Sequence, residues 1–198
     1  MSASEIVRTL PLVEEILESN RHRAHGDDTG WDAYKAHVYR VVNFARALSP
    51  VVPDRDHKLS ISAAFHDLAA FDTLDYLVPS IQAQDEWLHS TGRQAWSEEL
   101  AVIIAEHHRL RRYGRTQPYA ELTEAVRRAD LIDVSQGLIR FGLPSDYVKE
   151  VRGTFDAKEF FRRVIPTGTL RAIRRRQQPG FLRPTNALTR SGHAGADR

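Results

Sequence analysis

Residues 31–48 read WDAYKAHVYRVVNFARAL, and the fold class follows from them. His37, Val41, Phe44 and Leu48 fall at offsets of four, seven and eleven, the spacing that puts side chains on one face of an α-helix. The β-branched pair Val41-Val42 is embedded in that period and sets up no strand-like alternation. Ser49-Pro50 stops the helix, and Pro53 keeps the next few residues extended. The same period recurs on both sides. Upstream, a first helix is expected over about Ser4 to Glu18, followed by a polar loop from Asn20 to Gly30. Downstream, a third covers about His57 to Leu68. A fourth starts near Pro79, a residue suited to a first helical turn, and ends near Gly92. A fifth opens at Ser97, carries His107 and His108, and frays at Tyr113-Gly114. A sixth covers about Glu121 to Ile139, closed by Gly142 and Pro144. Two short helices, about Ser145 to Arg152 and Ala157 to Val164, complete an all-α chain in which no stretch reads as a strand.

Composition narrows what such a chain can be. A length of 198 residues suits one domain able to bury a core of its own. The domain is expected over 1–165, with a basic tail over 166–198. From Phe160 onward nine arginines stand against one acid, Asp197, so the preceding 159 residues carry a net charge of −6 within a total of +2. The tail segment TLRAIRRRQQ could touch nucleic acid through nonspecific charge, but it has no interleaved aromatics or nucleic-acid motif, so that partner is not favoured. The opening MSASEIVRTLPLVEEILESN carries acids within its apolar pattern and reads as neither signal peptide nor membrane span. A cytoplasmic protein without membrane attachment is the expectation, and nothing in the pattern opposes association with a second copy. There is no cysteine, which removes disulfides, thiolate metal sites and cysteine nucleophiles and leaves imidazole and carboxylate as the strong metal ligands.

Several such groups point inward. His37 lies on the apolar face of its helix, where a lone histidine is more often a hydrogen-bonded core residue than a ligand. His66-Asp67 sits in AAFHDL, where burying a carboxylate is costly without a cation or a strong donor. Asp130 lies on a stripe with Val126 and Val134, with Asp133 competing for the same inward face; the bland alternative is an acid paired with Arg127 or a neighbouring helix. Leu100, Ile103, Ile104 and His107 form one stripe, and His108 lies one step round from it. Together these supply imidazoles and carboxylates from several helices to one core, a set suited to manganese, iron, cobalt, nickel or zinc in a site with open positions.

His37, then His66-Asp67, then Asp130 within Arg128-Ala129-Asp130, each on a helix, resembles the HD-domain superfamily over about Trp31 to Asp133. The resemblance implies a helical bundle in which His37, His66, Asp67 and Asp130 bind a divalent ion that activates water, typically against a phosphate ester. HD proteins with two metals carry further histidines between the His-Asp pair and the last Asp, which brings in His107, His108 and His89. For His89, at a helix end in WLHSTG, a solvated or capping role is the simpler expectation.

The chain also departs from familiar members. Many HD enzymes have a Glu or Lys three residues after the pair, where this chain has Ala70. Asp72 and Asp75 are the nearest acids that could replace it, with Asp72 taken as the catalytic candidate beside Asp67. The Gly-Tyr-Pro segment of the cyclic dinucleotide enzymes is absent. HDLAAFDTLDYLVPS resembles the smaller stand-alone HD proteins, fungal cyanamide hydratases among them. After His108, RLRRYGR places four arginines in seven residues, and Arg109 and Arg112 are the candidates to bind a small anionic substrate. The leading expectation is thus a phosphohydrolase acting on a small phosphorylated metabolite or nucleotide. Its alternatives are an HD-type hydratase or amidohydrolase-like enzyme, a di-iron oxygenase, and a noncatalytic binding module.

Overall fold

The structure is a computed structural model that describes residues 5–157 and Glu159. Among the described residues, seven α-helices run in the order α1 (Pro11–Ser19), α2 (Asp28–Leu48), α3 (Arg55–Phe65), α4 (Leu77–Ser90), α5 (Ser97–Glu106), α6 (Ala120–Val134) and α7 (Ser145–Thr154). Short 3-10 turns interpose at Arg21–Ala24, Leu68–Phe71 and Gln94–Trp96, and no strand occurs among the described residues. The all-α expectation therefore holds. The expected tail, the boundary at 165 and most of the expected helix from Ala157 to Val164 lie outside the described residues.

The helix quoted at the outset is the centre of the bundle. Fourteen of the 21 residues of α2 are buried, more than one apolar stripe supplies, because α3, α6 and α7 all pack against it. Its polar members Arg40 and Asn43 are buried as well, and each has partners: Asn43 exchanges hydrogen bonds with the backbone of Val7 at 2.8 and 3.0 Å. Asp27 starts α2 three residues earlier than the periodicity suggested, its carboxylate accepting the Gly30 N–H at 3.0 Å as an N-cap.

Four other boundaries differ from the sequence expectation, each for a local reason. The first helix begins at Pro11, not Ser4: Leu10 is held extended (φ −129°, ψ 114°) as residues before proline are, and its N–H donates to the Tyr39 hydroxyl at 3.0 Å. The sixth ends at Val134, well before Ile139, because Gln136 and Gly137 both take positive φ and the Gly137 N–H closes back on the Ile132 carbonyl at 2.8 Å. The third and fifth end one residue before His66 and one before His107. A helix leaves its last four carbonyls without backbone donors. Here the imidazole of the residue after each helix serves one of them: His66 Nδ1–H donates to Ala63 O at 2.7 Å and His107 Nδ1–H to Ile104 O at 2.6 Å. The same arrangement at two helix ends aims both rings into the space between α2, α3, α5 and α6.

Candidate metal centre

His37 comes from the middle of α2, His66 and Asp67 from the end of α3, His107 and His108 from the end of α5, and Asp130 from α6. His37, His66, Asp67, His107 and Asp130 are each 0–3% exposed. The His108 side chain is 25% exposed, so the cluster has one side nearer to solvent.

Tautomers follow from the outer partners. His66 and His107 each donate Nδ1–H to a carbonyl, which can only accept, so a neutral ring presents a bare Nε2 inward. His37 Nδ1 faces Asp133 Oδ2 at 2.8 Å, which fixes its orientation in the same sense. The inward atoms crowd. His37 Nε2 and His66 Nε2 are 3.0 Å apart, and His107 Nε2 lies 3.2 Å from Asp67 Oδ1. Asp67 Oδ1, Asp130 Oδ1 and His107 Nε2 are all buried without a hydrogen-bond partner. A carboxylate oxygen and a bare imidazole nitrogen are both acceptors and repel, so their approach calls for a cation or a proton between them.

The atoms form overlapping groups that share His66, His107 and Asp130. On one side, His37 Nε2 and His66 Nε2 stand 3.6–3.9 Å from Asp67 Oδ2 and Asp130 Oδ1. On the other, His107 Nε2 and His108 Nε2 lie 3.2 and 3.6 Å from Asp67 Oδ1, and His108 Nδ1 lies 3.5 Å from Asp130 Oδ2. Ligands about 2.1 Å from one ion stand about 3.0–3.4 Å apart in octahedral or tetrahedral geometry, a spacing the closest of these pairs already approach, while the His108 ring can offer only one of its two nitrogens to a given ion. These buried groups could hold a metal ion, and the lack of cysteine restricts the donors to nitrogen and oxygen.

Proton affinities in the cluster follow from the same contacts. Burial pushes His66 down to about 4, helped by the neighbouring His107 and His37 and opposed by the two carboxylates, so its ring is neutral and available as a donor. Burial works to raise Asp67 and Asp130, but the imidazoles outweigh it. His66, His107 and His108 hold Asp67 well below the usual carboxylate range, and His108, His107 and His37 hold Asp130 below it. For His108 the effect of burial is overcome by Asp130 and Asp67, which raise it to about 9. His37 is raised too, with Asp133 outweighing burial.

Other residues singled out in the sequence are not among the cluster's inward donors. His89 is 62% exposed at the end of α4, 3.8 Å from Asp85, the solvated role anticipated for it. Asp72 is held by Arg23 and by His25 Nε2 at 2.9 Å, and so is committed to a surface ion pair rather than turned toward the cluster. Arg109 is 47% exposed and pairs with Glu106 at 3.0 Å; Arg112 is exposed. Arg127 does not pair with Asp130. It forks onto Glu124 at 2.7 and 2.9 Å and donates to Arg109 O at 3.0 Å, while Glu124 also accepts the Tyr113 N–H at 2.9 Å. This clasp ties the loop after His108 to α6.

Two residues had not been assigned roles. Asp133, expected to compete with Asp130 for the inward face, lies one turn from it and is buried as well, against His37, so both acids are used. The Tyr76 hydroxyl lies 2.5 Å from His108 Nε2 across 32 residues of sequence, a pairing that local pattern could not reveal. Compared with protein-family models, with curated proteins and with solved structures, the chain matches none.

Proposed function

We propose that this chain is a metal-dependent hydrolase of the HD superfamily, in which His37, His66, Asp67 and Asp130 hold a divalent ion and the substrate is a small phosphorylated metabolite or nucleotide. The observation that carries the reading is the convergence of bare imidazole nitrogens and unpaired carboxylate oxygens in one buried space. Manganese, iron, cobalt, nickel and zinc all suit the donor set. When bound, such an ion acts as a Lewis acid and lowers the pKa of a coordinated water to about 7. The protein's part is to hold the donors fixed and exclude bulk water, which the complete burial of His37 and His66 does. Asp67, its carboxyl kept ionised by three imidazoles, supplies a ligand and an acceptor beside the reacting water. His108 is the more exposed of the cluster's rings, on the side where a substrate would arrive, with the buried Tyr76 hydroxyl against it, and the exposed Arg109 and Arg112 follow in the chain to receive a phosphate.

The two-sided placement of Asp67 supports a second reading with two ions, because its Oδ2 lies beside His37 and His66 and its Oδ1 beside His107 and His108. With Ala70 where many HD enzymes carry a proton-handling residue, a hydratase or a di-iron oxygenase fits that arrangement. Elemental analysis of protein purified without chelator, combined with a phosphoester panel, tests both. One zinc, manganese or cobalt per chain with phosphoester turnover, both lost in His66→Ala and Asp67→Ala, supports the hydrolase. Two irons with oxygen consumption support the second reading, and metal-loaded protein inert on the whole panel counts against phosphoester hydrolysis.

A further inference from the structure

Behind His37 lies a chain of buried groups that neither the ligand set nor its chemistry accounts for. His37 Nδ1 donates to Asp133 Oδ2 at 2.8 Å, and the other oxygen, Oδ1, accepts from Arg40 Nη1 at 3.1 Å. Asp133 is 0% and Arg40 3% exposed. Arg40 then leaves the centre: its Nε and Nη2 donate to Phe155 O at 2.8 and 2.5 Å, and Nη2 also donates to Arg152 O at 2.9 Å. Those carbonyls sit at the C-terminal end of α7 and just past it.

A carboxylate bonded to the outer nitrogen of a histidine fixes its tautomer and ring angle and strengthens the inner nitrogen as a donor. An ion pair serving packing alone would need only Asp133 and Arg40. The third member distinguishes this one, because His37 Nε2 is among the inward atoms, 3.0 Å from His66 Nε2 and 3.6 Å from Asp130 Oδ1. Asp133 spends one oxygen on that ring and the other on the arginine that holds the end of α7. One carboxylate thus bridges His37 and Arg40.

We propose that Asp133 is the positioning residue for His37 in metal binding, and that through Arg40 it couples occupancy of the centre to the seating of the chain after α7. This rests on the metal reading above. Zn2+ is a suitable probe because it is diamagnetic and accepts this donor set. In wild type, Zn2+ titration is expected to leave a slowly exchanging downfield proton on His37 Nδ1, with Nε2 metal-bound, and to slow amide hydrogen exchange at 150–157. Asp133→Asn, which keeps the shape and loses the charge, is expected to bind Zn2+ about 10–100-fold more weakly. Arg40→Gln keeps both members of the His37–Asp133 pair and an amide donor beside Asp133, so it is expected to lose stability but to keep Zn2+ affinity within a few-fold while losing the metal-dependent protection at 150–157.

Zn2+ bound through His37 Nδ1, or Asp133→Asn matching wild type in affinity, overturns the positioning role. Unchanged metal-dependent protection in Arg40→Gln overturns the coupling. The tautomer readout is made on wild type and survives a failure of either variant to fold. Wild type that binds no Zn2+, manganese or iron sinks the metal reading and this inference together, whereas wild type that binds while Asp133→Asn binds equally well sinks only the inference.

Discussion

Acidifying the metal-free protein tests the buried imidazoles directly. His66 has an ordinary value of 6.5 and is held near 4 in the folded chain. Between those values the unfolded chain binds a proton on this ring that the folded chain refuses, so stability is complete above pH 6.5 and falls as the pH drops toward 4. The gap corresponds to a loss on the order of 3 kcal/mol. His108 behaves oppositely. Its folded value of about 9 means that its contribution is fully present below pH 6.5 and is lost as the pH rises through 9. Partial exposure of the His108 ring keeps that loss smaller than the acid one. Metal-free protein is therefore expected to be most stable near pH 6.5 and to weaken in both directions. Urea unfolding of chelator-treated protein across this range measures the profile through its midpoints. His66→Asn is expected to flatten the acid limb down to about pH 4 while keeping the alkaline one. A wild-type midpoint that stays level between pH 6.5 and 4, or an acid limb that survives in His66→Asn, refutes the account of His66 as a ring kept neutral by burial.

Two further outcomes follow from the contacts around the cluster. Glu124 is held at about 2 because Arg127, the Tyr113 N–H and Arg128 outweigh its burial, so Glu124→Gln should leave buried Arg127 short of a charge partner, cost on the order of 3 kcal/mol in thermal unfolding, and loosen the loop after His108. Asp72→Asn breaks only a partly exposed pair with Arg23 and His25; metal content should stay unchanged, turnover should fall no more than a few-fold, and stability should shift by about 0–1 kcal/mol. A large loss of turnover with metal intact would instead restore Asp72 as a catalytic acid.

What the sequence disclosed and what it withheld divide along physical lines. His37 was readable because its helix is long and regular, and Asp67 because a carboxylate among Ala63, Ala64, Phe65 and Leu68 must be compensated by something. Helix ends were less readable. The chain around His66 and His107 continues the helical period, both residues keep right-handed helical dihedrals, and the fold-back of each ring onto a carbonyl three residues earlier is an event that spacing does not encode. Asp130 and Asp133 looked like rivals because a stripe was treated as a line, whereas a buried helix face is wide enough for two acids one turn apart with different partners. Asp72 looked available because its partners, Arg23 and His25, lie far away in sequence.

The arrangement of exposure bears on whether the proposed ion would be structural or catalytic. A structural site closes all its positions with protein donors, whereas a catalytic one leaves a position toward solvent. Here three histidines are sealed at 0–1% exposure, and the fourth, His108, is a quarter exposed beside the Tyr76 hydroxyl. The other three rings are backed by Asp133, Ala63 O and Ile104 O, which leaves His108 as the ring with an exposed flank. That side is also where the chain continues into Arg109 and Arg112, with the loop clasped to α6 by Glu124 and Arg127. A purely structural ion would need neither an asymmetrically exposed ring nor a loop anchored beside it. On the hydrolase proposal, the substrate would therefore meet the ion from the His108 edge.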